Sequence, residues 1–216
     1  MKIFYSNANE DLVLNNPQER VEVVSVDPSS PQDQALCNSF YALRDEVFVI
    51  KNGWFEPREE RDQYDQASVF FLALEGGRVV AGLRAIYQAR LPVNESLPIE
   101  TCFDGKSPVH LGAIELSRMI NKGKPDIGLL VYRTMYQQLV IVEGHRSVYA
   151  VIRRSFLRSL QRCLINLTFD RLPGSSKWRG KSERVPVRIG VARNHFQEQE
   201  CDLSTEDEMM QTSSLV

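Results

Sequence analysis

The densest cluster of ionisable side chains in the sequence is Glu59-Glu60-Arg61-Asp62-Gln63-Tyr64-Asp65, four carboxylates and one arginine leading into the apolar run VFFLAL. On its own, this is what any solvated turn looks like. Three charges further along change that: Arg84 sits within VVAGLRAI, and Glu115 and Arg118 sit within IELSRMI. A strand that served only the core would not carry them, because a buried ion costs several kcal/mol unless it is paired. Asp62 and Asp65 are available as partners. Charges of both signs inside a sheet core mark a candidate site. The residue types suit proton transfer, since a carboxylate can take a proton from an attacking nucleophile while arginines fix carboxylates in place.

The spacing within IELSRMI sets a geometric demand. Strict alternation places Glu115 and Ser117 on one face of a strand and Ile114, Leu116 and Arg118 on the other. An extra residue bulged into the strand would bring Glu115 and Arg118 to the same side. The sequence therefore predicts a bulge or splay near Leu116 to Arg118, which would also free backbone groups to bind an extended ligand.

Taken in order, Arg44-x3-Phe48-x5-Trp54, Glu60-x-Asp62-x2-Asp65, Gly82-x-Arg84 and Glu115-Leu116-Ser117-Arg118 resemble the signature of the acyl-homoserine lactone (autoinducer) synthases. The resemblance implies a GNAT-like acyltransferase fold. It also implies transfer of an acyl group from acyl-carrier protein, or from acyl-CoA, to the amine of S-adenosylmethionine. Lactonisation with release of methylthioadenosine would then yield a quorum-sensing signal. Adenosylmethionine and the thioester would be substrates, with no cofactor.

By the same carry-over, Arg44, Phe48 and Trp54 would close over adenosylmethionine. Asp62, Asp65, Arg84, Glu115 and Arg118, with Ser117 on the same strand, would hold and activate the substrate. The acceptor ammonium must lose a proton before it attacks a thioester, which requires a carboxylate directly or through water. Glu115 is the first candidate and Asp62 its rival. Asp65, Arg84 and Arg118 would serve as ion-pair partners or substrate clamps, and a backbone N–H of the splayed strand would receive the thioester oxygen.

Two alternatives stay open. The N-acyl amino acid synthases share the acidic loop and the Glu-x-Ser-Arg strand and acylate a free amino acid; Trp54 favours the lactone reading, because that position serves the adenosyl group in the resemblance. A non-enzymatic acyl-ligand binding module could use the same sheet. Phe48 and Trp54 likewise have a plain packing role beside a stacking role on adenine or sulfonium.

The elements that must position these residues follow from pattern. VEVVSV (Val21 to Val26) alternates and is β-branched, as a strand should be. Leu36, Phe40, Leu43 and Val47 recur at helical steps between Asp33 and Val49, and Asn52-Gly53 closes that helix. The charged stretch from Trp54 to Gln66 reads as a loop. Val69 to Gln88 reads as a hairpin turning at Glu75-Gly76-Gly77, and RLPVNESLPIETCFDGKSP as an irregular connection. A strand over HLGAIELSRMI, a helix from about Ile127 to Glu143, a buried strand SVYAVIR, a helix through Phe156, Leu157, Leu160 and Leu164, and terminal strands INLTFDRL and VPVRIGVA follow. SVYAVIR and the helix from Ile127 could line an acyl tunnel. The order predicts a mixed central sheet with a splayed strand pair and helices on both faces, in one domain over 1–196.

Of the 216 residues, 43% are hydrophobic and 25% charged, ordinary for a chain that buries one core. No long apolar run or secretory leader is visible, which predicts a cytoplasmic protein. Cys37, Cys102, Cys163 and Cys201 never fall in a C-x-x-C pair, and His110, His145 and His195 are isolated, so neither a metal site nor a triad is expected.

Charge is unevenly spread. From Arg146 to Arg193 there are twelve Lys or Arg against Asp170 and Glu183. Arg153, Arg154, Arg158 and Arg162 could steer an acidic acyl-carrier protein. No nucleic-acid motif accompanies them. The tail 197–216, with Glu198, Glu200, Asp202, Glu206, Asp207 and Glu208 and few apolar residues, is expected to be disordered.

Overall fold

A computed structural model of the chain describes residues 2–4, 21–56, 60–87, 113–145, 148–164, 167–172, 176–178 and 182–191. The connection expected over 90–108, the tail 197–216, Cys102, Cys201, His110 and His195 lie outside them.

Among the described residues, nine strands form one sheet: β1 (Lys2–Phe4), β2 (Val21–Val26), β3 (Ser68–Glu75), β4 (Arg78–Ile86), β5 (Ile114–Asn121), β6 (Val148–Arg153), β7 (Leu167–Arg171), β8 (Ser176–Trp178) and β9 (Ser182–Val191). Their order is β1-β2-β3-β4-β5-β6-β9-β7, with β8 also beside β9. All pairings are antiparallel except β5 with β6. That parallel pair is joined through α2 (Pro125–Tyr136), whereas α1 (Gln34–Arg44) precedes β3 and α3 (Arg154–Cys163) follows β6.

The sheet separates two apolar layers. Phe40 of α1 packs with Val24, Val26, Phe70, Leu72 and Ile120 on one face. Val131 and Met135 of α2 and Leu157 and Leu160 of α3 cover Phe71, Leu83, Leu116 and Val187 on the other. Gly82 permits the first contact: a Cβ there would lie 2.4 Å from the Phe40 ring and 2.9 Å from Leu72.

Both long helices end differently from expectation. After Arg44 the chain winds wider, as π-helical turns over Asp45–Lys51, and after Tyr136 it does so again over Gln137–Val142. Such turns shift the face that later side chains present, and they recur at functional sites. The first delivers Phe48 inward and ends at Gly53, whose φ of 57° is the left-handed conformation glycine adopts freely. The hairpin turns on Gly76 and Gly77, at φ 55° and 78°. The expected loop PGSSKWRGKSER instead contributes β8 and the start of β9.

The predicted irregularity in β5 is present. Gly82 pairs with Ile120 and Arg84 with Ser117, so Leu83 alone opposes both Arg118 and Met119. Arg118 takes φ 55°, rare for a residue with a side chain. On the other edge, pairing with β6 runs from Ile114↔Val148 to Leu116↔Ala150, while β5 continues to Asn121 and β6 to Arg153. The two strands part where the bulge begins.

Candidate active site

A cavity of about 810 Å³ occupies the gap between the parted strands. Ser117, Arg118, Val151 and Ile152 form its waist. Phe48, Trp54, Phe55, Asp62 and Arg84 line it on the α1 side, and Gly128, Tyr132, Phe156 and Ser159 on the side of α2 and α3. It therefore crosses the sheet, polar and aromatic at one end and largely apolar at the other.

The polar end is a connected ion network. Arg84 holds Asp62 with two donors, Nη1 to Oδ1 at 2.6 Å and Nη2 to Oδ2 at 3.1 Å. Its Nη1 also reaches Asp65 Oδ1 at 2.8 Å, and its Nε donates to Ser117 Oγ at 2.9 Å. Arg118 Nη2 donates to Asp62 Oδ2 at 3.0 Å. Behind this layer Arg44, wholly buried, grips Asp65 at 2.8 and 3.2 Å, the Glu60 carboxylate, and the Glu60 carbonyl at 2.7 Å. Three arginines thus meet Glu60, Asp62 and Asp65, and Glu115, 4% exposed on the cavity wall, is a fourth carboxylate.

Burial and pairing pull these groups in different directions. Burial acts to raise the Asp65 carboxyl, but Arg44 and Arg84 outweigh it and hold it below the usual carboxylate range. Burial lifts Glu60 above that range despite Arg44, consistent with its Oε2, which has no hydrogen-bond partner. Arg118 is lowered to about 10, by burial and then by the charges of Arg84 and Arg44. Its buried Nε makes no hydrogen bond and lies 3.9 Å from Glu60 Oε1.

An aromatic wall continues from the ions. The Arg118 guanidinium lies 4.1 Å from the Phe55 ring centre, Phe55 lies 6.0 Å from Phe48, and Phe48 stacks on Trp54 at 5.7 Å and 28°. Arg153 caps Trp54 at 4.5 Å, with Arg184 at 5.9 Å.

Of the residues singled out in the sequence, Phe48, Trp54, Asp62, Arg84, Glu115, Ser117 and Arg118 line the cavity. Arg44 and Asp65 sit one layer behind, fixing Arg84 and Glu60. The cross-strand partners of Glu115, Ile86 and Tyr149, pack with Tyr64 of the acidic loop, which puts Glu115 on the face of that loop. Arg153, read with the basic helix, is turned toward Trp54 instead; Arg154, Arg158 and Arg162 stand exposed on α3. Sequence reasoning assigned no role to Glu60, Phe55 or Arg184. Only Glu60 carried a signal, its place within the acidic motif. Among the described residues no group of His, Cys, Asp and Glu is arranged to hold a metal, and Cys37 and Cys163 are free thiols.

No family model and no curated protein sequence matches the chain. Solved structures do. The CoA-dependent acyl-homoserine lactone synthase BjaI, with S-adenosylmethionine and isopentyl-CoA, superposes with a TM-score of 0.67 at 20% identity, covering 81% of this chain and 85% of that one. The acyl-homoserine lactone synthase LasI gives 0.65 at 21%, covering 79% and 90%. An acyl-CoA N-acyltransferase from Pseudomonas aeruginosa gives 0.57 at 16%, covering 78% and 99%. The parted β5–β6 pair and the cavity through it are thus set in a GNAT-like fold that this chain shares with acyl-homoserine lactone synthases and other N-acyltransferases.

Proposed function

We propose that the chain is an N-acyltransferase of the acyl-homoserine lactone synthase type, acylating the amine of S-adenosylmethionine from an acyl-carrier-protein or CoA thioester to make a quorum-sensing signal. The observation that carries this is the Asp62–Arg84–Arg118 network with Glu115 beside it, set where β5 and β6 part in an acyltransferase fold.

The division of labour follows from charge. Asp62 is committed to two arginines, Arg84 and Arg118, which suits it to positioning. Glu115, on the cavity wall, is the base that takes the ammonium proton, directly or through water. The freed nitrogen then attacks the thioester carbonyl carbon, a C–N bond forms, and the C–S bond breaks. The thiolate leaves with the proton returned from Glu115, and the second proton of the attacking nitrogen passes to the freed Glu115 carboxylate, and on to solvent, as the amide forms. Backbone groups released from pairing beyond Leu116 can donate to the carbonyl oxygen as its charge grows. With adenosylmethionine as acceptor, its carboxylate oxygen then displaces methylthioadenosine from the γ-carbon and closes the lactone.

Incubation of the purified protein with acyl-carrier-protein and acyl-CoA thioesters tests the reading, with free thiol and methylthioadenosine measured together. Release of both is expected. Absence of methylthioadenosine with every donor defeats the lactone reading. A free amino acid as acceptor is favoured by one observation: Arg153 and Arg184 place two positive charges around Trp54, where a sulfonium would be repelled. N-acyl amino acid formation without methylthioadenosine would establish that alternative.

A further inference from the structure

Arg153 and Arg184 are directly opposed in the antiparallel pairing of β6 with β9. Like charges at such positions are only about 5 Å apart at Cβ and destabilise the pair. Both nevertheless point to the same side, toward Trp54, and both line the cavity. Arg184 is lowered to about 10, by burial and then by Arg153. Arg153 is exposed and Arg184 half-buried, so water is available to let them separate. Here the indole gathers the two guanidiniums at one end of the aromatic wall, with the carboxylates of the ion network at the other.

We propose that Arg153, Arg184 and Trp54 form an oxyanion-binding subsite for a carboxylate or phosphate carried by one of the two substrates. Planar guanidiniums bind such groups through paired donors, and the bound anion would relieve their mutual repulsion. The α-carboxylate beside the reacting amine is not the ligand: Arg153 lies four residues beyond Tyr149, the cross-strand partner of Glu115, about 13 Å along the strand. The anion therefore belongs to a remote part of the acceptor or to the phosphate-bearing arm of the thioester. This rests on the acyltransferase reading for the identity of the ligand, but not for the existence of the subsite.

Two measurements test it on the full chain. In a Trp178→Phe background, Trp54 is the sole indole, and inorganic pyrophosphate should change its fluorescence saturably at constant ionic strength. Arg153→Gln and Arg184→Gln should each weaken that response tenfold or more, while circular dichroism confirms folding. Absence of a saturable response, or equal affinity in the variants, overturns the subsite whatever the protein catalyses.

In acyl-transfer assays the same variants should raise KM for one small-molecule substrate by tenfold or more with kcat little changed. A raised acceptor KM identifies the acceptor as the source, and a raised acyl-CoA KM the donor. If Arg153→Gln affects only the carrier-protein thioester, Arg153 belongs to a docking surface and the proposal fails. If no acyl transfer occurs with any pair, the pyrophosphate titration still decides the subsite.

Discussion

Glu115 and Asp62 are chemically alike and both line the cavity; two arginines hold Asp62, Glu115 is the more buried, and in the proposed mechanism Glu115 is the base. Glu115→Gln should therefore lower kcat by roughly 100-fold or more with little change in thioester KM, whereas a binding module would show altered affinity and no turnover to lose. Single-turnover assays with each variant separate these outcomes. Asp65 is different in kind. Asp65→Asn removes the shared partner of Arg44 and Arg84, and breaking a buried pair of this type costs about 3–5 kcal/mol, readable in urea unfolding. The Asp65 pKa is lowered on folding, so its contribution is complete above the unfolded value of 3.8 and is lost as pH falls below it. The acid limb of the stability profile should flatten in Asp65→Asn. At this scale the sequence was informative because charges in VVAGLRAI and IELSRMI have no structural excuse. Arg153 and Arg184 were not legible as a pair, since nothing in a linear pattern says which strands will lie side by side.

Among the elements, the periodicities of the strands and helices placed most boundaries, and the alternation within IELSRMI demanded the bulge that β5 contains. The π-helical turns after α1 and α2 left no comparable mark, because a widened turn changes hydrogen-bond partners without changing the apolar spacing enough to notice. β8 escaped for another reason: a three-residue strand in a basic loop exists only through its pairing with β9. Gly82 provides the test at this scale. A methyl group there would enter the space of Phe40 and Leu72, both enclosed. Gly82→Ala should destabilise by about 1–3 kcal/mol through overpacking. It should also shift α1, and Arg44 with it, so that thermal unfolding and turnover fall together.

Over the whole molecule, the basic half divides by position. Arg153, itself exposed, and half-buried Arg184 lie over Trp54, while Arg154, Arg158 and Arg162 stand exposed along α3. No helix among the described residues is long and apolar enough to cross a membrane. If the α3 face steers an acidic carrier protein, replacing its three arginines by glutamate should raise KM for carrier-protein thioesters by tenfold or more. The acyl-CoA KM should stay unchanged, and the wild-type carrier-protein KM should rise with salt. Equal effects on both donors would remove the steering role.

The two-against-one count at Leu83 also bears on how this chain tolerates changes of length. Deleting Met119 would let β5 pair regularly with β4, which would close the strand separation and return the Arg118 side chain to the opposite face from Glu115. The loss of a single codon there would set Arg118 and Glu115 on opposite faces of the sheet, a change that no one-for-one exchange in that strand makes to the register.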